Sequence, residues 1–264
     1  MEFTMGSLPV ANVQALAAVS RDVPERYIRP EAGAHPVVAD CGVDIPVIDF
    51  SRFLDPNSSR DESSKLHMAC QNWGFFQVAY MSTLINHTVP KEVIEKMKLD
   101  VREFFQLPLE EKRQLAQVTG DVQDNYSAEL KNLADRLLEI MAKNLELNPD
   151  VVIDKFKVGI QSMFCFVYVI SCERSNSLFL LFFMQILSNG RYKSIEHRVV
   201  VNTERERLSI ATFHSPKSNA MIGPLQELVT GSGARYKTVN HEDFMKLFFS
   251  SKLDGKSFLD RMRY

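Results

Sequence analysis

The chain has 264 residues, and its 31 lysines and arginines against 33 aspartates and glutamates give a formal net charge of −2. A charge this close to zero argues against a nucleic-acid-binding protein, because phosphate contacts require a basic surface. The 45% hydrophobic and 24% charged content is typical of a globular protein, and the 11 glycines and 11 prolines exclude collagenous and low-complexity chains.

The N-terminal half of the chain predicts short strands alternating with amphipathic helices. Val93, Met97 and Val101, for example, recur at helical spacing. The predicted elements are a helix over 12–20, a strand over 45–50, a helix over 60–72, a strand over 73–78, a helix over 90–105 and a short helix from 108. The clearest helical pattern covers residues 127–145, with Ser127 as its predicted N-cap.

From residue 186 the pattern changes to β-like alternation. Ile195, His197, Val199 and Val201 share one face of a predicted strand over 195–201. The polar residues 202–206 then turn the chain into a second strand over 208–213, and a helix is predicted over 241–252.

Residues 163–187 contain two apolar runs on either side of a polar stretch over 171–177. Neither run approaches the ~20 apolar residues that span a bilayer, and the Glu173-Arg174 pair would be costly inside one. No membrane-spanning segment is therefore predicted. A buried pair of strands is one alternative interpretation of the two apolar runs.

No secretory signal is predicted, because the N-terminus lacks a basic stretch followed by an apolar one. The four cysteines form no Cys-x-x-Cys spacing and are expected to be buried, reduced thiols. Both features predict a cytoplasmic protein.

Three residues are candidates for binding chemistry. His197 lies on the otherwise apolar face of its predicted strand, where a hydrogen-bonded core histidine is the more common arrangement. Arg207 and Ser209 are two residues apart and would share one face of the next strand. A guanidinium and a hydroxyl so placed form a good clamp for a carboxylate, although a solvated strand edge is the alternative.

Two segments of the chain closely match the motifs of a known family. Asn189–Val199, with the sequence NGRYKSIEHRV, and Arg207–Phe213, with the sequence RLSIATF, closely resemble the C-terminal core of plant iron(II)/2-oxoglutarate-dependent dioxygenases. The similarity is strongest to the senescence-related and codeine-demethylase-like branch, a relative of flavonol and anthocyanidin synthases. Further stretches agree in the same order, namely residues 23–30, 45–49, 73–77, 104–108 and 252–260.

The resemblance implies a mixed α and β fold, with N-terminal helices, a partial double-stranded β-helix (jelly roll) and a C-terminal helix. It implies an N-terminal dioxygenase region over 1–125 and an incomplete jelly-roll domain over 126–264. His197 matches the second metal histidine of the family, and Arg207 and Ser209 match the pair that binds the distal carboxylate of 2-oxoglutarate. No catalytic residue is assigned.

The implied activity couples oxidation of 2-oxoglutarate to hydroxylation, desaturation or demethylation of a small plant metabolite. Iron(II) is the implied cofactor and 2-oxoglutarate the cosubstrate, with ascorbate as an optional addition. We expect a monomer with a small-molecule substrate and with neither nucleic acid nor membrane as partner.

The metal site departs from the family pattern. The family carries a His-x-Asp pair before the second histidine, and no His-x-Asp or His-x-Glu precedes His197 here. The one such triplet is His241-Glu242-Asp243, in the predicted C-terminal helix. Positions i and i+2 of a helix point about 200° apart and cannot chelate one ion.

Several segments also depart from the family. Residues 164–184 resemble nothing in it and are interpreted as an atypical insert, either translated intron or a deletion scar, and 79–84 form a smaller insertion. Between about 120 and 126 the family has an additional stretch of several dozen residues that this chain lacks. The sequence therefore leaves open an impaired oxidoreductase and a non-catalytic remnant. An unrelated carboxylate-binding module would explain only the clamp.

Overall fold

A computed structural model describes residues 19–20, 22, 45–78, 89–114, 125–159, 161–169, 181–195, 206–231, 233–250 and 257–264. The backbone divides into two compact units, Met1–Asp44 and Ile45–Tyr264. Nearly all of the predicted helix over 12–20 lies outside the described residues. The predicted boundary between 125 and 126 stays a prediction.

The second unit begins with two short parallel strands, β1 (Val47–Ile48) and β2 (Gln77–Val78). Between them run a 3₁₀ turn, helix α1 (Ser59–Met68) and a π-helical turn over Ala69–Trp73. The predicted strand over 45–50 and helix over 60–72 are thus confirmed. The strand predicted from Trp73 begins later, because that residue ends the π-helical turn.

A glycine is required directly after this turn. Gly74 has φ of 71°, a left-handed conformation that closes the turn. A Cβ atom at this position would approach the backbone nitrogen of Ile195 and the carbonyl oxygen of Lys193 to 2.9 Å. The Trp-Gly-Phe-Phe-Gln motif therefore lets a distant loop pack against the end of the helix.

The predicted helices of the middle of the chain are confirmed. They are α2 (Lys91–Gln106), α3 (Leu109–Gln114) and α4 (Asn125–Asn144). A further helix that the sequence analysis did not predict follows, α5 (Pro149–Phe156). Helix α4 begins before Ser127, so that residue lies inside the helix and is not its N-cap. At α5 the side chain of Asn148 accepts a hydrogen bond from the Asp150 nitrogen at 3.1 Å, which caps the helix.

The C-terminal half contains β3 (Gln161–Val169), α6 (Leu181–Leu187), β4 (Glu206–His214), β5 (Met221–Ile222), β6 (Val239–Asn240), α7 (His241–Ser250) and α8 (Ser257–Arg261). β3 and β4 pair antiparallel over nine residues each, with Gln161 opposite His214 and Val169 opposite Glu206. β5 and β6 form a second antiparallel pair. The strand predicted over 208–213 and the C-terminal helix are confirmed. The strand predicted over 195–201 lies outside the described residues except for Ile195.

The two apolar runs of residues 163–187 fold differently from each other. The first run belongs to strand β3, whereas the second forms helix α6. The alternative of a buried strand pair is therefore wrong for the second run, and so is the β-like alternation predicted from Ile186. The predicted insert over 164–184 therefore begins within strand β3 and ends within helix α6, where Phe183 and Met184 are buried in the core. No helix within the described ranges is long and apolar enough to cross a membrane.

The fold is mixed α and β, as predicted, but the described part of the chain contains three two-stranded sheets and no closed barrel. A barrel closes only when every strand pairs on both sides. β1, β2, β5 and β6 have only two residues each, which is too short to continue the β3–β4 ladder into a barrel.

A single hydrophobic cluster joins α1, α4, α5, α6, α7 and α8. Helix α4 packs against α1 and α5. The largest fully buried side chains come from every part of the unit: Tyr192, Phe244, Ile48, Leu66, Leu137, Leu138, Met141, Met184, Ile186, Leu187 and Ile222. Cys70 is a buried free thiol, as expected, and burial raises its pKa to about 12.

Candidate functional site

Strand β4 carries the two residues predicted to clamp a carboxylate. Arg207 lies opposite Tyr168 of β3, and Ser209 lies opposite Phe166. Alternation along a strand places positions 207 and 209 on the same face, as the sequence predicts. Their side chains, together with those of Met163–Val169, lie outside the described residues, so the clamp itself stays a prediction.

His197, the predicted metal ligand, also lies outside the described residues. The segment that leads to it, Gln185–Ser194, is described in detail. We call this segment the clasp, because hydrogen bonds tie it to both halves of the unit.

The first set of bonds ties the clasp to the C-terminal part of the chain. The amide nitrogen of Gln185 donates to the Tyr236 hydroxyl at 2.8 Å, while its Oε1 accepts from the backbone nitrogen of Ser194 at 2.7 Å. The Asn189 side chain donates to the Gly233 carbonyl at 3.2 Å and accepts from the Arg235 nitrogen at 2.8 Å.

A second set ties the clasp to the N-terminal helices. The Lys193 nitrogen donates to the Cys70 carbonyl at 2.9 Å. The fully buried Tyr192 places its hydroxyl 3.3 Å from the Met141 carbonyl, to which it donates, and 2.9 Å from His67 Nδ1. Burial raises the pKa of Tyr192 and lowers that of His67, which keeps both groups neutral. Sequence reasoning identified this motif by resemblance but could not reveal its partners, which are distant along the chain.

The described residues offer no complete metal site. No group of three or more histidine, cysteine, aspartate or glutamate side chains among them could hold a metal ion. Three of the six histidines are described, and none of the three is placed as a ligand. His67 is bonded to Tyr192, while His214 and His241 are buried.

The His241-Glu242-Asp243 triplet is not a metal site, as helix geometry predicts. The His241 ring is 3% exposed and contacts Phe183 and Phe244, with ring centroids 5.5 and 6.5 Å away. Asp243, in contrast, has a side chain that is 72% exposed and lies 3.7 Å from the Lys246 ammonium. A buried ring and an exposed carboxylate cannot share one ion.

His214 is a neutral core histidine at the end of β4. It is 8% exposed, and burial lowers its pKa to about 4. The nearby Asp135 carboxylate opposes that shift and Lys131 adds to it. These two residues pair with each other at 2.6 Å on α4. The Nε2 atom of His214 has no hydrogen-bond partner in the described structure.

One cleft of the described structure contains no residue of the clasp. It has a volume of about 440 Å³ and lies between α5 and the segment that follows β4. Lys155 lines it and donates to the Met221 carbonyl at 3.0 Å; burial, together with the nearby Lys217, lowers the pKa of Lys155.

Two protein families match consecutive parts of the chain. Residues 45–151 match the family described as non-haem dioxygenase in morphine synthesis N-terminal. Residues 167–216, which include His197, Arg207 and Ser209, match the 2OG-Fe(II) oxygenase superfamily.

Whole-length similarity agrees with these matches. The chain is 36% identical to S-norcoclaurine synthase 1 of Coptis japonica, with 98% of this chain and 97% of the relative covered. It is 32% identical to 2-oxoglutarate-dependent dioxygenase 11 of Oryza sativa subsp. japonica, with 96% of each covered. Codeine O-demethylase of Papaver somniferum is 29% identical, over 97% of this chain and 96% of that protein.

The alignments also show how much this chain lacks. The alignment with the Coptis protein runs over 348 positions, whereas 98% of this chain is about 259 residues, so about 90 positions face gaps here. Internal segments present in the relative are therefore missing from this chain.

Solved structures show the same fold relationship. The crystal structure of JOX2 in complex with 2OG, Fe and JA matches with a TM-score of 0.71 and 25% identity, covering 97% of this chain and 98% of that one. The rice dioxygenase for auxin oxidation matches with a TM-score of 0.62 and 21% identity, over 84% of this chain and 100% of that one.

The donor set of this chain does not fit the iron of these oxygenases. A two-histidine, one-carboxylate site requires three protein ligands. The sequence supplies His197 but no His-x-Asp or His-x-Glu before it, and the described histidines are engaged or buried as given above. By the family motif the sequence therefore offers a matching position for one of the three ligands, and the described residues supply no group that could complete the set.

Proposed function

Because this chain belongs to the iron(II)- and 2-oxoglutarate-dependent dioxygenases, we propose that its reaction is a 2-oxoglutarate-coupled oxidation of a small plant metabolite and that turnover is impaired. Hydroxylation, desaturation and demethylation are the candidate outcomes. Relatives named as O-demethylases support the last of these. Iron(II) and 2-oxoglutarate are the cofactor and cosubstrate of the family, and together they supply its oxidising chemistry.

One observation carries the proposed impairment. The chain retains the positions that match the second metal histidine and the carboxylate clamp, but no His-x-Asp or His-x-Glu pair precedes His197. The gaps of about 90 aligned positions support the interpretation that the missing pair belonged to lost segments. A site with one of its three protein ligands is expected to bind iron(II) weakly.

The carboxylate clamp is the part of the site that we propose to remain. Arg207 can offer two charge-assisted hydrogen bonds to the distal carboxylate of 2-oxoglutarate, and Ser209 can offer one neutral donor. A hydrogen bond to a charged group contributes about 1.5–3 kcal/mol, so loss of the guanidinium is expected to weaken binding more than tenfold. An ammonium cannot reproduce the planar fork, so Arg207→Lys should restore binding only in part.

Calorimetric titration with 2-oxoglutarate tests the clamp. Arg207→Ala is expected to cost more affinity than Ser209→Ala, and Arg136→Ala, at an exposed arginine of α4, serves as the matched control without effect. Equal and negligible effects of the two clamp substitutions on a measurable affinity would remove the clamp from the proposal.

Anaerobic titration with iron(II) in the presence of 2-oxoglutarate tests the metal site. We expect binding far weaker than that of JOX2, whose crystal structure contains iron, measured alongside. Tight, stoichiometric binding that survives His197→Ala would place the ligands elsewhere and reject the assignment.

A non-catalytic remnant is the second candidate, and the missing ligand pair favours it. Succinate formation from 2-oxoglutarate separates the two candidates. Turnover above background that requires His197 supports an impaired oxygenase. Background turnover with 2-oxoglutarate binding retained supports a remnant.

The origin of residues 164–184 has its own test. We propose that this segment is not native to the family fold, because its two apolar runs interrupt the order of the family motifs, although the match to the oxygenase superfamily begins within it, at residue 167. Mature transcripts that carry the segment intact in most copies would contradict this. The proposed compartment is the cytoplasm, which the free thiol of Cys70 supports.

A further inference from the structure

The cleft between α5 and the segment after β4 is lined by two lysines that lie close together, Lys155 and Lys217. Their backbones are joined directly, because the Lys217 nitrogen donates a hydrogen bond to the Lys155 carbonyl at 2.8 Å. Burial lowers the pKa of Lys155, and the nearby Lys217 charge lowers it further. Two like charges are therefore held near each other at one cleft.

Neither of these two charges is neutralised by a carboxylate. Both lysines are half-buried, yet neither forms an ion pair in the described part of the chain. Lys155 donates one of its three ammonium protons to the Met221 carbonyl, which leaves two donors for another group. The Lys217 side chain makes no hydrogen bond to any described residue. Because a charge partly removed from water needs compensation, the two ammonium groups favour an anion between them.

Two carboxylates line the same cleft without pairing with the lysines. Asp150 and Asp154 lie one turn apart on α5, and both side chains are exposed. Neither lies within ion-pair distance of Lys155 or Lys217 in the described structure. A solvated carboxylate needs no partner, but it repels a ligand that carries many negative charges. The cleft therefore suits a ligand with a single anionic group.

Much of the remaining lining is apolar. Val151, Ala220 and Met221 contribute to it, and Ala220 is buried. The volume of about 440 Å³ falls within the range of about 300–1,000 Å³ that is usual for clefts that bind small molecules. Such sites combine apolar walls with a few polar groups that orient the ligand. The lining therefore favours an anion with an organic body over an inorganic ion.

We propose that this cleft binds a small organic acid, with its single carboxylate or phosphate group between the ammonium groups of Lys155 and Lys217. The apolar body of the acid would contact Val151 and Met221. The shared feature of the two head groups is an oxyanion that accepts charge-assisted hydrogen bonds from both lysines. The binding is independent of iron.

The proposed site lies at the other end of β4 from the predicted clamp. Arg207 is the second residue of β4, whereas Lys217 follows shortly after the last residue, His214. A strand rises about 3.3 Å per residue, so the backbones of positions 207 and 214 are roughly 23 Å apart. Ligand binding at the cleft and at the clamp can therefore be distinguished by substitution.

Titration of the full chain with benzoate, followed by NMR, tests the proposal. Saturable shifts are expected for the amide signals of the lining residues Asn219 and Ala220. Benzamide has the same ring without the charge and should bind about tenfold more weakly or worse, because it lacks the charge-assisted bonds. A parallel titration with phenyl phosphate identifies the preferred head group. Absence of saturable shifts with both anions, or benzamide binding equal to that of benzoate, would overturn the proposal.

Substitution of the lysines locates the binding site. Lys217→Met should weaken benzoate binding about tenfold and should fold normally, because the Lys217 side chain bonds to no described residue. Lys157→Met is the matched control, because Lys157 is an exposed lysine at the end of α5 that does not line the cleft. Equal affinities of these two variants would reject the site. Loss of binding in Arg207→Ala but not in Lys217→Met would place benzoate at the clamp and likewise overturn the proposal.

Discussion

The clasp and the β3–β4 ladder differ in whether their buried polar groups have hydrogen-bond partners in the described structure. In the clasp, the side chains of Gln185, Asn189 and Tyr192 are all buried and all hydrogen-bonded. On the inner face of the ladder, Thr212 and His214 are equally buried, yet Thr212 Oγ1 and His214 Nε2 have no partner in the described structure.

The contrast concerns how completely each region pairs its buried polar groups. Buried polar groups in native proteins are almost always paired. The clasp meets that rule because its partners, in α1, α4 and the segment around Arg235, are all present. The ladder carries the predicted clamp but lies in a chain that lacks about 90 positions of its relatives. The buried polar side chains of the clasp are therefore all hydrogen-bonded in the described structure, whereas Thr212 and His214 of the ladder each keep a buried polar atom without a partner.

The largest expected effect compares one aromatic side chain from each region. Tyr192→Ala should lower the free energy of unfolding by about 3–5 kcal/mol, because it empties a fully buried site beside His67 of α1 and Met141 of α4. Phe213→Ala on β4, where the side chain is 36% exposed, should cost less than about 1 kcal/mol. Urea denaturation measures both, and equal losses would mean that the ladder is packed as firmly as the clasp.

The second prediction concerns acid and the unpaired histidine of the ladder. The pKa of His214 is about 4 in the folded chain against 6.5 ordinarily, so the unfolded chain takes up the proton first. Stability should therefore fall as the pH drops from about 6.5 to 4, by up to about 3 kcal/mol at about 1.36 kcal/mol per pKa unit.

The control for this prediction is His214→Leu, whose stability should depend less on pH over the same window. Burial also lowers the pKa values of His67 and His241, so part of the slope should persist in the variant. Parallel stability curves for the two proteins between pH 4 and 7 would contradict the assignment of His214 as a buried neutral ring.

The smallest of the three effects tests hydrogen bonding in the clasp. Gln185→Ala leaves the Tyr236 hydroxyl and the Ser194 nitrogen without their partner, which should cost about 2 kcal/mol of unfolding free energy. Gln226→Ala, at an exposed glutamine of the short 3₁₀ helix, makes the same chemical change and should be neutral within about 0.5 kcal/mol. A loss as small for Gln185 as for Gln226 would show that the clasp bonds contribute little.

Local pattern alone determined much of the fold. Helices α2, α4 and α7 and strand β4 were all predicted, because an element with one buried face repeats its apolar residues at the period of its own backbone. The linear order of motifs likewise identified the family. The spacing of His241 and Asp243 was enough to exclude a shared metal ion, because it depends only on helix geometry.

Tertiary structure decided the rest, because those outcomes depend on residues far apart in the chain. The two apolar runs of residues 163–187 lack a clear period, so their pattern could not show that one becomes β3 and the other α6. The second run is helical where it packs Phe182 and Phe183 against Phe244 of α7, a contact about 60 residues away. Trp73 ends a helical turn and does not begin a strand because the clasp approaches Gly74 so closely. A sequence records the period of an element, whereas the neighbours that cover it exist only once the chain has folded.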